Sequence, residues 1–185
     1  MKKIILILSV MCPIVIAQQN SVYIEQVGSS NTISIEQSES PNNYAKYMST
    51  GGFNATTITQ VGTMDTVLNR LQVTLNGSFN NTSLLQQSTG GSKNIYTSIS
   101  DNSNSLIVQQ KDSGNHFTEI YLTGGNKTVD VLQQGSAGHS ASVTLSGYST
   151  GASVNQYGIT SQAFSLNFNC ATLGGCSRIS VTQGN

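Results

Sequence analysis

The side chains able to do covalent or metal chemistry are few. Cys170 and Cys176 bracket the stretch CATLGGC. Two thiols at that spacing, with no histidine nearby, fit a local disulfide closing a glycine-containing loop better than a metal site, because zinc wants four nitrogen or sulfur ligands. His116 and His139 stand in turn-like stretches beside no cysteine, histidine or carboxylate cluster, and are expected to be solvated. Asp101 and Asp112 fall in loops without the calcium-binding nonapeptide. No HExxH helix or P-loop is present. Asn54-Ala-Thr and Asn126-Lys-Thr spell the glycosylation acceptor, a pattern that an Asn- and Thr-rich chain produces by chance. The expectation is therefore no catalytic residue, no metal and no cofactor. What the chain has in quantity is the side-chain amide, whose chemistry is to donate and accept hydrogen bonds at once.

The amides keep a spacing. The stretch NSVYIEQVGSSNTISIEQ, residues 20–37, repeats itself: Asn20, Ile24 and Gln26 return as Asn31, Ile35 and Gln37. The glutamine at the end of an alternating run recurs at Gln60, Gln86, Gln109, Gln133, Gln156 and Gln183, in steps of 26, 23, 24, 23 and 27. A second set of runs ends at Leu75, Ile99, Leu122, Leu145 and Phe168, in steps of 24, 23, 23 and 23. The step from Gln26 to Gln60 is 34, and its surplus is assigned to a loop insertion over 38–53 that contains Pro41. At Gln109–Gln110 the register is ambiguous, with Ser103 and Asn104 competing to lead the run.

The elements that carry these amides are strands. Each run alternates apolar and polar residues over five to seven places, is rich in Val, Ile and Thr, and is separated from the next by Asn-Gly, Gly-Gly or Ser-Gly turns. The predicted fold is all-β: a β-solenoid with two strands per turn and about six repeats of roughly 23 residues, stacked parallel and in register. An antiparallel sandwich or barrel accepts the same strands but gives no reason for equal residues at equal positions. In phase with Val22, Ile24, Ile33 and Ile35, the amides Asn20, Gln26, Asn31 and Gln37 face inward, beside the turns. Asn54, Gln60, Asn80, Gln86, Gln109, Gln133, Gln156 and Gln183 are expected to join them. A buried amide without partners costs about 1–3 kcal/mol; a column of amides spaced ~4.8 Å apart can satisfy itself along the stack.

The bulk numbers agree with export and with assembly. MKKIILILSVMCPIVIAQQ reads as a signal peptide over 1–17, two lysines and an apolar run followed by Val15 and Ala17 at the cleavage site. The mature chain, 18–185, is one solenoid domain whose excess at 169–177 is the cysteine loop. Charged residues make up 9% of the chain, and without Lys2 and Lys3 six basic residues face eight acidic ones. No basic stripe invites nucleic acid. Glu25, Glu36, Asp130 and Lys127 are placed outward as solubilising charges. Neither end carries a helical cap or a proline, so both terminal strands are expected to be open to pairing. Polysaccharide-cleaving β-helices are the competing enzyme class, but about 23 residues leave room for two strands and two tight turns only. An ice-binding or adhesin face would need a regular threonine array, and Thr56, Thr59, Thr74, Thr144 and Thr182 do not keep one phase.

On these residues the chain resembles bacterial curlin repeats, in which a serine is followed after five residues by glutamine, then by asparagine and a second glutamine. Gln26, Gly28, Asn31 and Gln37 match that pattern, with Asn20 in the serine position. Asn54, Gln60 and Gly62 match in part, with Asp65 where asparagine is expected, and Asn80–Gln86 keeps the first spacing. The resemblance covers about 20–185 and departs where the second strands end in Leu75, Ile99, Leu122, Leu145 and Phe168 rather than glutamine. It implies a secreted, self-polymerising subunit of extracellular amyloid (curli-like fibres of the biofilm matrix that serve in adhesion). It also implies an outer-membrane secretion pore and a companion subunit, and leaves open whether this chain is the bulk subunit or the nucleator.

Overall fold

Alternating runs become strands throughout. The computed structural model describes residues 20–39, 42–63, 67–124, 127–147, 150–169 and 178–185. The signal segment 1–17, Pro41, Asp65, Asn126 and the pair Cys170 and Cys176 lie outside them. In chain order the strands are β1 (Ser21–Val27), β2 (Thr32–Ser38), β3 (Asn43–Thr50), β4 (Ala55–Gly62), β5 (Asn69–Asn76), β6 (Asn81–Ser88) and β7 (Lys93–Ser100). They continue as β8 (Ser105–Gln110), β9 (His116–Leu122), β10 (Lys127–Gln134), β11 (His139–Ser146), β12 (Thr150–Tyr157), β13 (Gln162–Asn169) and β14 (Ile179–Gly184). No helix occurs among the described residues.

Odd strands form one seven-stranded sheet in the order β1-β3-β5-β7-β9-β11-β13, and even strands form the other, β2 to β14. Every pairing is parallel. Parallel neighbours need a crossover of a dozen or more residues; here the crossover is the intervening strand of the opposite sheet with its two turns. The protein is a β-solenoid of two strands per turn.

The two-residue period of a strand sends alternate side chains inward, and the inward ones make a single core. Leu71, Val73, Ile95, Ile120, Val129 and Val143 are among its fully buried members. Ile58, Leu84, Val108, Val131 and Val154 stack one above another through the second sheet. A register slip of one residue would turn this whole set outward.

The arcs that join the first sheet to the second repeat from coil to coil. Gly28, Gly51 and Gly77 open them with φ of 102°, 99° and 143°. At Gly77 a Cβ atom would lie 2.2 Å from the carbonyl oxygen of Asp101 in the next arc, so the stacked turn backbones leave no space for a side chain.

One expectation is corrected here. Residues 38–53 are not a loop insertion: β3 occupies 43–50 and pairs with β1 and β5 as an ordinary first-sheet strand. The apparent surplus arose because Gln26 and Gln60 belong to different sheets. Gln60 is paired with Gln37, 23 residues earlier.

Candidate functional site: four columns at the inner corners

Each coil has four inner corners, where a strand meets a turn, and each corner repeats up the stack as a column. At the end of the second-sheet strands the column is Gln37, Gln60, Gln86, Gln110, Gln133, Gln156 and Gln183. Nε2 of each glutamine donates to Oε1 of the next, at 2.7, 2.7, 3.2, 2.9, 3.0 and 2.9 Å. The five central members are fully buried. The second N–H reaches across the coil to a first-sheet carbonyl: Gln60 to Tyr44, Gln86 to Arg70, Gln110 to Asn94, Gln133 to Phe117 and Gln156 to Ser140, all within 2.9–3.0 Å. Each amide thus bonds coil to coil and sheet to sheet, which removes its burial penalty. All the donors point toward the C-terminal end.

At the start of the second-sheet strands stand Asn31, Asn54, Asn80 and Asn104, followed in register by Lys127. Here the amide satisfies backbone. The N–H groups of Asn54, Asn80 and Asn104 donate to Oδ1 of the asparagine one coil before, at 3.0, 3.0 and 2.9 Å. Nδ2 of Asn31, Asn54 and Asn80 donates to the Gly51, Gly77 and Asp101 carbonyls of the following arc, at 2.8, 2.9 and 3.0 Å.

The column at the start of the first-sheet strands changes chemistry along its length: Asn20, Asn43, Asn69, Lys93, His116, His139 and Gln162. Asn43 N–H donates to Asn20 Oδ1 at 3.2 Å, and Asn69 Nδ2 to Asn43 Oδ1 at 2.8 Å. The histidines reproduce the amide pattern. His139 N–H donates to His116 Nδ1 at 3.3 Å, and the Nε2 atoms of His116 and His139 lie 2.8 and 3.1 Å from the Lys111 and Gln134 carbonyls. With Nδ1 accepting, the proton sits on Nε2 and bonds the turn carbonyl. The rings stack at 5.1 Å with 4° between planes. Lys93 Nζ donates to the Gly91 carbonyl at 2.9 Å and to that of Gly114.

Burial shifts these groups. Desolvation lowers His116 to about 4, with the neighbouring Lys93 charge adding to the effect. It lowers His139 as well. Lys93 is lowered to about 8, against an opposing pull from Asp112. Lys127 is lowered by burial, with Asp101 opposing.

The fourth column, at the end of the first-sheet strands, is Gln26, Ser49, Leu75, Ile99, Leu122, Leu145 and Phe168. Only its first members are polar.

The sequence reading is corrected at five points. Gln26 does not stand over Gln60; it heads the column that turns apolar. Gln109 is not in the ladder: Gln110 is buried there, because Asn104 rather than Ser103 leads β8. Asn54 and Asn80 follow Asn31, not Asn20. Lys127 is buried rather than outward. His116 and His139 are buried at the first residue of β9 and β11 rather than solvated in turns. Asn43, Asn69 and Lys93 were missed; Asn104 and Gln110 formed one of the two registers left open, and because Ser103 and Gln109 keep the same five-residue interval, burial rather than spacing chooses between them.

Other chemistry is thin on the described residues. No group of three His, Cys, Asp or Glu that could hold a metal is found among them. An open groove on the outer face of β5, β7 and β9 is lined by Gln72, Tyr96, Phe117 and Tyr121, with Glu119 as its one carboxylate, whereas a glycosidase works with two. Residues 147–151 spell G-x-S-x-G, but their last two, Thr150 and Gly151, already belong to strand β12, whereas a nucleophile elbow leads into a helix.

Fold and columns together define the class: a repeat-built, parallel β-solenoid with an internal amide ladder. Comparison of the chain with family models, with curated proteins and with solved structures returns no match.

Proposed function

We propose that this chain is a structural subunit of a secreted, curli-like amyloid fibre, assembling end to end. One observation carries the reading: the glutamine ladder runs unbroken and in one direction from Gln37 to Gln183, between two sheets whose outermost described strands have no neighbour on one side. At one end Gln37 offers Oε1, and at the other Gln183 offers Nε2. A second copy set down one step further along continues every hydrogen bond of the ladder. Unpaired parallel edges with thin charge favour such addition, and a head-to-tail contact that never closes makes a filament. The resemblance to curlin repeats adds export through an outer-membrane pore, a companion subunit, and a place in the biofilm matrix. A second reading, a minor or nucleating subunit, is favoured by the apolar half of the Gln26–Phe168 column, where the curlin pattern has glutamine.

The test is seeded assembly. The purified mature chain, at tens of micromolar, should bind an amyloid dye after a lag, and fragments of its own fibres should abolish that lag. A chain that stays monomeric for days, with or without seeds, is a soluble solenoid, and an adhesin would then be the better description.

A further inference from the structure

The two ends of the solenoid do not match each other at every corner. Continuing the observed register onto a second copy sets Gln183 over Gln37 and Gln162 over Asn20 at two corners, and Leu166 over Ile24 within the strands, each like against like; the position that would meet Asn31 lies outside the described residues. The corner at the end of the first-sheet strands sets Phe168 over Gln26. Inside the chain, the amides of the glutamine column meet a partner amide on each side, and the apolar corner residues Leu75, Ile99, Leu122 and Leu145 meet one another. Only at a junction between copies does an amide face a phenyl ring. Among the described residues the Gln26 side chain makes a single hydrogen bond, a long one from Nε2 to the Asn31 carbonyl at 3.4 Å, so its oxygen would enter the junction without a donor.

From this mismatch we infer that the Gln26 corner is a specificity determinant of end-to-end contact. The N-terminal coil is built to receive a β-solenoid end that carries an amide at that corner, in preference to a second copy of this chain. The inference rests on the end-to-end reading above and refines it. The Gln37 and Asn20 corners, matched at the junction, make stacking possible with any solenoid of the same step, so they supply affinity without choice. The Gln26 corner supplies the choice, because burying an unpartnered amide carbonyl is penalised and a matched pair is not. The C-terminal coil, with Phe164, Leu166 and Phe168 packed against the core, is correspondingly suited to a partner whose first coil is apolar there.

A double-mutant cycle tests this. Four chains are compared: wild type, Gln26→Leu, Phe168→Gln, and the two changes together. The readouts are the monomer concentration left in equilibrium with fibres and the rate of seeded elongation. Gln26→Leu matches apolar to apolar at each junction, and Phe168→Gln matches amide to amide. Each alone should lower the residual monomer by about fivefold or more. The double variant recreates the mismatch with its two sides exchanged, and should return to near the wild-type value. Additive effects, or singles indistinguishable from wild type, overturn the inference while leaving end-to-end assembly intact. If Phe168→Gln loosens the last coil, visible as a lowered unfolding midpoint of the monomer, Gln26→Leu decides alone, since Gln26 is solvent-exposed in the lone chain. No assembly by any of the four removes the end-to-end reading and the inference with it.

Discussion

At the scale of the single residue, what matters is whether an amide has both its donors and its acceptor satisfied. Gln110 and Gln109 make the comparison within one strand. Gln110 is fully buried and donates to Asn94 and Gln133 while accepting from Gln86; Gln109 faces outward from the same strand, half-exposed. Gln110→Ala deletes one partner from four hydrogen bonds, the fourth being to Thr118 Oγ1, and leaves buried groups on either side unpaired, which should destabilise the fold by about 2–4 kcal/mol. Gln109→Ala should cost within about 0.5 kcal/mol. Denaturant unfolding of the two variants checks both figures, and equal effects would mean that the ladder does not run through Gln110. The same logic explains how histidine stands in an amide column. A neutral imidazole has one acceptor and one donor nitrogen, and at His116 they reach the same backbone groups, an N–H one coil on and a turn carbonyl, that asparagine reaches elsewhere.

At the scale of the element, that substitution adds a pH dependence that an amide column lacks. His116 is held at about 4 by burial and by Lys93, against an ordinary value near 6.5. Between those values the unfolded chain binds a proton that the folded chain does not, so stability rises with pH there. It is complete above about pH 7 and is lost as pH falls from 6.5 toward 4. His139, lowered in the same direction, adds to the loss. A second proton on His116 would sit on Nδ1 and point at the His139 N–H, donor against donor. Between pH 7 and pH 5 the loss from His116 should be about 2 kcal/mol, read as a fall in the unfolding midpoint. His116→Asn restores the amide of the lower coils and should remove most of that fall while leaving the midpoint at pH 7 little changed. Lys93, at about 8, has the same sign at alkaline pH, where stability should rise further between about 8 and 10.5.

At the scale of the whole molecule, each coil is stabilised by the coils above and below it, so the ends are the weak points. Val22 and Ile24, inward-facing in β1, are 45% and 50% exposed, whereas Val73 and Ile120 in the middle of the stack are fully buried. Hydrogen exchange on the monomer should therefore find the amides of β5–β10 most protected and those of β1, β2, β13 and β14 fastest. If fibres form by adding coil to coil, the protection gained on assembly belongs to those four strands, with little change at the centre. Uniform gain along the chain would instead mean that the solenoid is dismantled and rebuilt on assembly.

The period, the strands, their two-residue alternation and, outside β8, the inward phase of the amides were legible in the sequence, because each is a local property written in consecutive residues; in β8 the neighbouring Gln109 and Gln110 left two phases open. The parallel stack followed from the period, since only stacking keeps equal residues at equal positions. Which residues share a column was decided by the tertiary structure. Asn20–Gln26 and Asn31–Gln37 are nearly interchangeable as text, and only the pairing of β2 with β4 and of β1 with β3 shows that their descendants diverge, one line staying glutamine and the other becoming leucine and phenylalanine. The buried lysines and histidines escaped sequence reasoning for the same reason: polar residues beside a turn look solvated until the coils above and below close over them. Burial and register at the corners are properties of the stack, and no single coil contains them.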